Sequence, residues 1–90
     1  MVEFEWDDAN LEHIARHGVS ADEVQQVIQN GTMPLEYQDW HDEERFTEVG
    51  HTDAGRVLLV VLTMRGNHAR VVTAYEPTKL VENRYWRVRG

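Results

Sequence analysis

The sequence predicts a small α+β domain: a largely antiparallel β-sheet with an N-terminal αα-hairpin and a C-terminal helix, in the order β-αα-β-β-β-β-α. Three observations carry this. Residues 57–64 are apolar throughout except for Thr63 and rich in β-branched side chains; behind Arg65-Gly-Asn-His68 comes a second such run, residues 69–74. Together they read as two strands of an antiparallel hairpin. Two short helical patterns punctuated by Gly18 precede it, and period-two alternation marks the first residues. A strand apolar on both faces must be covered on both, which places residues 57–64 at the centre of the sheet with helices over it. A single buried helix is excluded by the Gly66-Asn67 interruption and by the density of Val, which loses χ1 freedom in a helix.

In chain order, residues 2–6 alternate Val2, Phe4 and Trp6 with Glu3 and Glu5, the pattern of a half-buried strand. Asp7 or Asp8 serves as an N-cap for a helix with Leu11, Ile14 and Ala15 on one stripe. Gly18 ends it in a left-handed cap, with Val19 folding back on the last turn. Ser20-Ala-Asp-Glu23 is a capping box opening a second helix, with Val24, Val27 and Ile28 inward and Asn30-Gly31 at its end. Residues 33–40 carry Pro34 and alternate Leu35, Tyr37 and Asp39, as an edge strand does. His41-Asp-Glu-Glu44 reads as a polar turn, residues 45–49 as a strand, and residues 50–55 as a turn-rich connector. After Pro77 a final helix places Leu80, Val81, Tyr85 and Val88 on one side, with Arg84, Arg87 and Arg89 exposed or lining a cleft.

Ninety residues make one domain with a single core. There is no cysteine, so a disulfide framework or thiolate zinc site is excluded, which suits a reducing cytoplasm. No run approaches the roughly 18 apolar residues of a membrane span. The net charge of −7 argues against a generic nucleic-acid binder. Its distribution is uneven: residues 1–53 hold fourteen acids against Arg16 and Arg45, a balance of −12, while residues 54–90 hold seven cations against Glu76 and Glu82, a balance of +5. This predicts one acidic and one basic face, each a partner surface or simply a solvated one.

Phe4-Glu-Trp-Asp7 with Asn10, Arg16-His-Gly-Val19, Glu44-Arg-Phe46, Gly50, Gly55-Arg56-Val-Leu-Leu-Val60, Arg70-Val-Val-Thr-Ala74 and Arg84-Tyr85 recur in order over nearly the whole length. In these the chain resembles the BrnT family of bacterial type II toxin–antitoxin toxins, which have a RelE-like ribonuclease fold. The resemblance implies a cytoplasmic, metal-independent endoribonuclease that blocks translation and needs no cofactor. It also implies a small, DNA-binding antitoxin as neutralising partner, through which oligomers would form. Two features depart from the family: Val72-Thr-Ala-Tyr75 stands where an Ile-Ser-Ala-Arg-like tetrad is usual, and the chain is acidic where family toxins tend to be basic. They favour a rival expectation, a non-catalytic binding module of the same fold.

Cleavage of RNA by its own 2′-hydroxyl needs a base, cations for the charge on phosphorus, and an acid for the leaving oxygen. Arg45, Arg56 and Arg70 each start or flank a predicted strand and suit bidentate phosphate binding. Glu44 or His51 is the expected base, Tyr75 the expected proton donor or stacking ring, and Arg84 and Arg87 the expected RNA contacts. The alternative for Glu44, Arg45 and Arg56 is a set of surface ion pairs worth roughly 0–1 kcal/mol each. His13 and His17, at i, i+4, have metal-ligand spacing but no evident third ligand. Trp6 is expected in the core, Trp86 in the core or exposed, and Trp40, near an edge, at a partner contact.

Overall fold

The computed structural model describes residues 3–89, apart from the side chain of Trp40. The elements are β1 (Glu3–Phe4), α1 (Asp8–Ala15), α2 (Ala21–Gln29), β2 (Met33–Trp40), β3 (Glu43–His51), β4 (Val57–Arg65), β5 (His68–Tyr75) and α3 (Lys79–Arg89). The expected order and fold class hold. The strands form one sheet in the order β1-β5-β4-β3-β2. It is antiparallel except for β1, which pairs parallel to β5 through Glu3–His68 and Phe4–Ala69.

As its composition requires, β4 is the middle strand. On one face Leu58, Val60 and Leu62 join Ala69, Val71 and Ala74 of β5 beneath Ile14, Val19, Val24 and Val27 of the helical hairpin. On the other, Val57 and Leu59 join Val49 and pack on Tyr85 of α3. The hairpin is anchored at Gly50 of β3, where an added Cβ would lie 2.8 Å from Val27 Cγ1. Only a residue without a side chain lets α2 approach the strand so closely.

Local signals explain the helix ends. Gly18 has φ +70, and Val19 N–H donates to the Ile14 carbonyl at 3.1 Å, closing α1 as expected. The Ser20–Glu23 capping box is formed. A second box caps α1: Asn10 N–H donates to Asp7 Oδ1 at 2.8 Å, and Asp7 N–H donates to Asn10 Oδ1 at 2.9 Å.

Three details differ from the sequence expectation. The first strand is confined to Glu3–Phe4, because Asp7 is already the cap of α1; Val2 lies outside the described residues. The turn before β3 shrinks to His41-Asp42, both with positive φ, so β3 begins at Glu43 and gains Arg45's neighbours as ladder residues. A two-residue turn with both central residues left-handed matches the twist of the flanking strands. In α3 only Tyr85 is buried and Val81 half-buried, while Leu80 and Val88 are 80% and 65% exposed. The buried apolar stripe of this helix is therefore a single i, i+4 pair, Val81 and Tyr85.

Candidate active site

Because α3 covers only the Val57–Leu59 end of its face, the other end of that face stays open. Register brings three residues there into one cross-strand row: Arg45 of β3 opposite Thr63 of β4, and Thr63 opposite Arg70 of β5. The two arginines flank the central strand, about 10 Å apart at the usual strand spacing. Beside the row β5 carries a bulge, with Leu62 opposite Val71 and Val61 opposite Thr73, so Val72 is the extra residue. Bulges re-aim neighbouring side chains, and here the distortion borders a cleft of about 290 Å³. Ala9, Asn10 and His13 of α1 complete its wall with Glu43, Arg45, Thr63, Arg70 and Val72.

Arg45 Nη2 lies 3.3 Å from Glu43 Oε2. Arg70 Nη2 lies 2.9 Å from Asp7 Oδ2, with Glu5 Oε1 at 3.7 Å from Nη1. The Asn10 backbone N–H, and then the Arg70 guanidinium, hold the Asp7 carboxyl below the usual carboxylate range. Thr63 is only 1% exposed, and its Oγ1 has no hydrogen-bond partner among the described residues. A buried hydroxyl without a partner costs about 1–3 kcal/mol, so the floor of the cleft carries an unmet polar group. His13 Nε2 sits 3.1 Å from Thr73 Oγ1. From there a file of rings runs along β5: His13 to His17 at 5.6 Å between centroids, and His17 to Tyr75 at 5.8 Å.

The other expected site residues lie elsewhere. Glu44 follows its neighbour's strand but faces the opposite side of the sheet, where its Oε2 accepts from Tyr37 Oη at 2.7 Å. That hydrogen bond pushes the Tyr37 phenol up to about 12. His51 shares Arg45's face but sits six residues along β3, about 20 Å away at the rise of a strand. Its Nδ1 is 2.6 Å from Tyr85 Oη, and its ring lies 5.2 Å from that of Trp86. Arg56 is a clamp: Nη1 donates to the Gly18 carbonyl at 2.8 Å and to Glu23 Oε2 at 2.9 Å, and Nε donates to Glu76 Oε1 at 3.1 Å. Arg84 and Arg87 are exposed on α3. Trp40 ends β2 opposite Glu43, and its side chain falls outside the described residues. Of the six expected catalytic residues, then, Arg45 and Arg70 meet in one cleft and Tyr75 lies along the same strand.

A family model described as ribonuclease toxin, BrnT, of type II toxin-antitoxin system matches residues 6–80. The chain belongs to the BrnT family. Among curated proteins, none matches it. The BrnT family is one of ribonuclease toxins of type II toxin–antitoxin systems, which supports a toxin role for this chain and implies RNA as substrate class and an antitoxin as partner. The whole row Arg45–Thr63–Arg70, with Asp7, His13 and Glu43, falls within the BrnT match. His13 and Glu43 were not among the expected catalytic residues. The signal for Thr63 was present as the one polar residue in the apolar run of β4, whereas Glu43 and His13 needed the register and the packing of α1 to be found. Among the described residues no group of three or more His, Asp or Glu is arranged to hold a metal ion, and no helix is long and apolar enough to cross a membrane.

Proposed function

We propose that the cleft at the Arg45–Thr63–Arg70 row is the site at which this toxin cleaves RNA, by attack of the 2′-hydroxyl on the adjacent phosphate and without a metal ion. The observation that carries the reading is the buried, unpartnered Thr63 hydroxyl between two guanidinium groups. A phosphate seated over the row receives the Thr63 O–H, with Arg45 and Arg70 on either side to stabilise the charge that grows on the non-bridging oxygens. Glu43 enters from the β3 side and His13 from α1 beyond β5, so they flank the phosphate from opposite directions. Glu43 removes the 2′-hydroxyl proton and His13 donates one to the departing 5′-oxygen. Products are a 2′,3′-cyclic phosphate and a free 5′-hydroxyl. Cleaved messenger blocks translation, and the antitoxin, a small DNA-binding protein, restores growth.

The test is cleavage of end-labelled RNA in EDTA by the wild type beside Arg45→Ala, Arg70→Ala, His13→Ala and Arg56→Lys. The first three should lose at least a hundredfold, while Arg56→Lys keeps most activity. Equal cutting by all would place the chemistry elsewhere. One observation favours a second reading, a binding module without catalysis: each cleft arginine already touches a carboxylate of its own chain. Absence of cutting by folded wild type, with and without ribosomes, would establish that reading.

A further inference from the structure

Alternation along the strands sorts their charge by face. On the side of the helical hairpin the charged strand residues are Asp39, Glu44 and Glu48, and no strand Lys or Arg is there among the described residues. Arg45, Arg65 and Arg70 all face the other way. On this acidic side α1 and α2 cover only part of the sheet. Next to Ile28, near the end of α2, a groove of about 270 Å³ remains, floored by Phe46, Leu62 and Met64 and walled by Phe4 and Glu48. Tyr37 extends the apolar surface, its ring 5.3 Å from that of Phe46. Met64 is 39% and Tyr37 54% exposed.

We infer that this groove is the seat of a basic amphipathic helix of the antitoxin, laid beside α2 as the next member of the helical layer. The inference rests on family membership for the existence of such a partner, and it is independent of the chemistry assigned to the cleft. An apolar floor with Glu48 on its wall, Glu44 and Asp39 on the same face of the sheet, and no cation in its lining fits a helix with apolar anchors at i, i+3, i+4 and i+7 and Lys or Arg on its flanks. Glu48 is already held in place by Thr32 Oγ1, which donates to its Oε1 at 2.7 Å, and Glu44 by Tyr37. Pre-set acids of this kind cost little ordering on binding. A second copy of this chain is a poorer occupant, because the groove would then meet another acidic face or the Arg-bearing cleft that RNA requires.

The probe is a fluorescent 15-residue helical peptide with Leu at i, i+3, i+4 and i+7 spacing and Lys elsewhere, followed by anisotropy at physiological salt. A scrambled Leu/Lys peptide and a Leu/Glu peptide with the same spacing serve as controls. The patterned Lys peptide should bind at least tenfold more tightly than either. Met64→Lys and Glu44→Lys should each weaken it at least tenfold, while Arg45→Ala leaves it within twofold. Met64→Lys should also retain RNA cleavage, which separates the groove from the cleft. Equal binding of the scrambled peptide, no binding at all, or indifference to both groove variants would overturn the inference. So would a wild-type dimer in sedimentation that Met64→Lys dissociates, since that assigns the groove to a second copy.

Discussion

Arg56 offers the sharpest contrast between a catalytic and a structural role. Its guanidinium ties the end of the α1–α2 link at Gly18 to Glu23 on the first turn of α2 and to Glu76 just after β5. The hydrogen bonds it donates to Glu23, and then to Glu76, raise its pKa above the usual arginine value. The side chains of Arg56 and Glu23 are each 27% exposed, so solvent screens but does not abolish the pair. Taking about 1 kcal/mol for the carbonyl bond, about 1 for Glu23 after screening and roughly 0.5 for exposed Glu76, Arg56→Ala should cost about 2.5 kcal/mol. With a urea m-value near 1 kcal/mol/M for a small domain, the unfolding midpoint should fall by about 2.5 M. A domain this size has roughly 5–13 kcal/mol in total, so the variant still folds. Lysine reaches one acceptor at a time and should recover about a third of the loss. Assayed well below its midpoint, the alanine variant should still cleave RNA. An unchanged midpoint with abolished cleavage would refute the reasoning and return Arg56 to the catalytic set.

Thr63→Val replaces the unpartnered hydroxyl by a methyl of similar volume. It should raise stability by about 1 kcal/mol, read as the urea midpoint, while lowering cleavage at least tenfold. Gly50→Ala forces a Cβ to within 2.8 Å of Val27 Cγ1 and 3.2 Å of the Val27 carbonyl. Overpacking of this kind should cost about 2 kcal/mol, a fall of roughly 8–16 °C in Tm by calorimetry. Burial pushes the Glu23 carboxyl up, but hydrogen bonds from Arg56 and the Ser20 N–H outweigh it and leave the pKa below its ordinary value. A depressed folded pKa stabilises the protein fully above the unfolded value near 4.3 and loses that contribution as pH falls through the folded one. The urea midpoint should therefore drop as pH falls below that unfolded value, and Glu23→Gln should start lower and fall less on acidification.

The elements that rest on local chemistry are legible in the sequence alone. The apolar run of β4, the Gly66-Asn67 turn and the Ser20–Glu23 box each carry their cause within a few residues. The Asp7–Asn10 box was not, because Asn stands where the usual pattern has Glu or Gln. Site membership was harder still. Glu44 and Arg45 are neighbours in sequence, yet one step along a strand puts them on opposite sides of the sheet. Arg45, Thr63 and Arg70 are far apart in sequence and meet only through register. The charge asymmetry between the chain's halves anticipated an acidic face without revealing that strand alternation places Arg45, Arg65 and Arg70 on the opposite side. Leu80 and Val88 kept helical spacing on a helix whose contact stripe is too narrow to use them.

The parallel pairing of β1 with β5 bears on when in its life the toxin becomes dangerous. Glu3 aligns with His68 and Phe4 with Ala69, so β1 has no partner until β5, more than sixty residues later in the chain, has followed it. Arg70 and its carboxylates, Asp7 and Glu5, are divided in the same way. A nascent chain therefore carries both halves of the proposed cleft unjoined until β5 has been made, and any activity of that cleft has to wait for it.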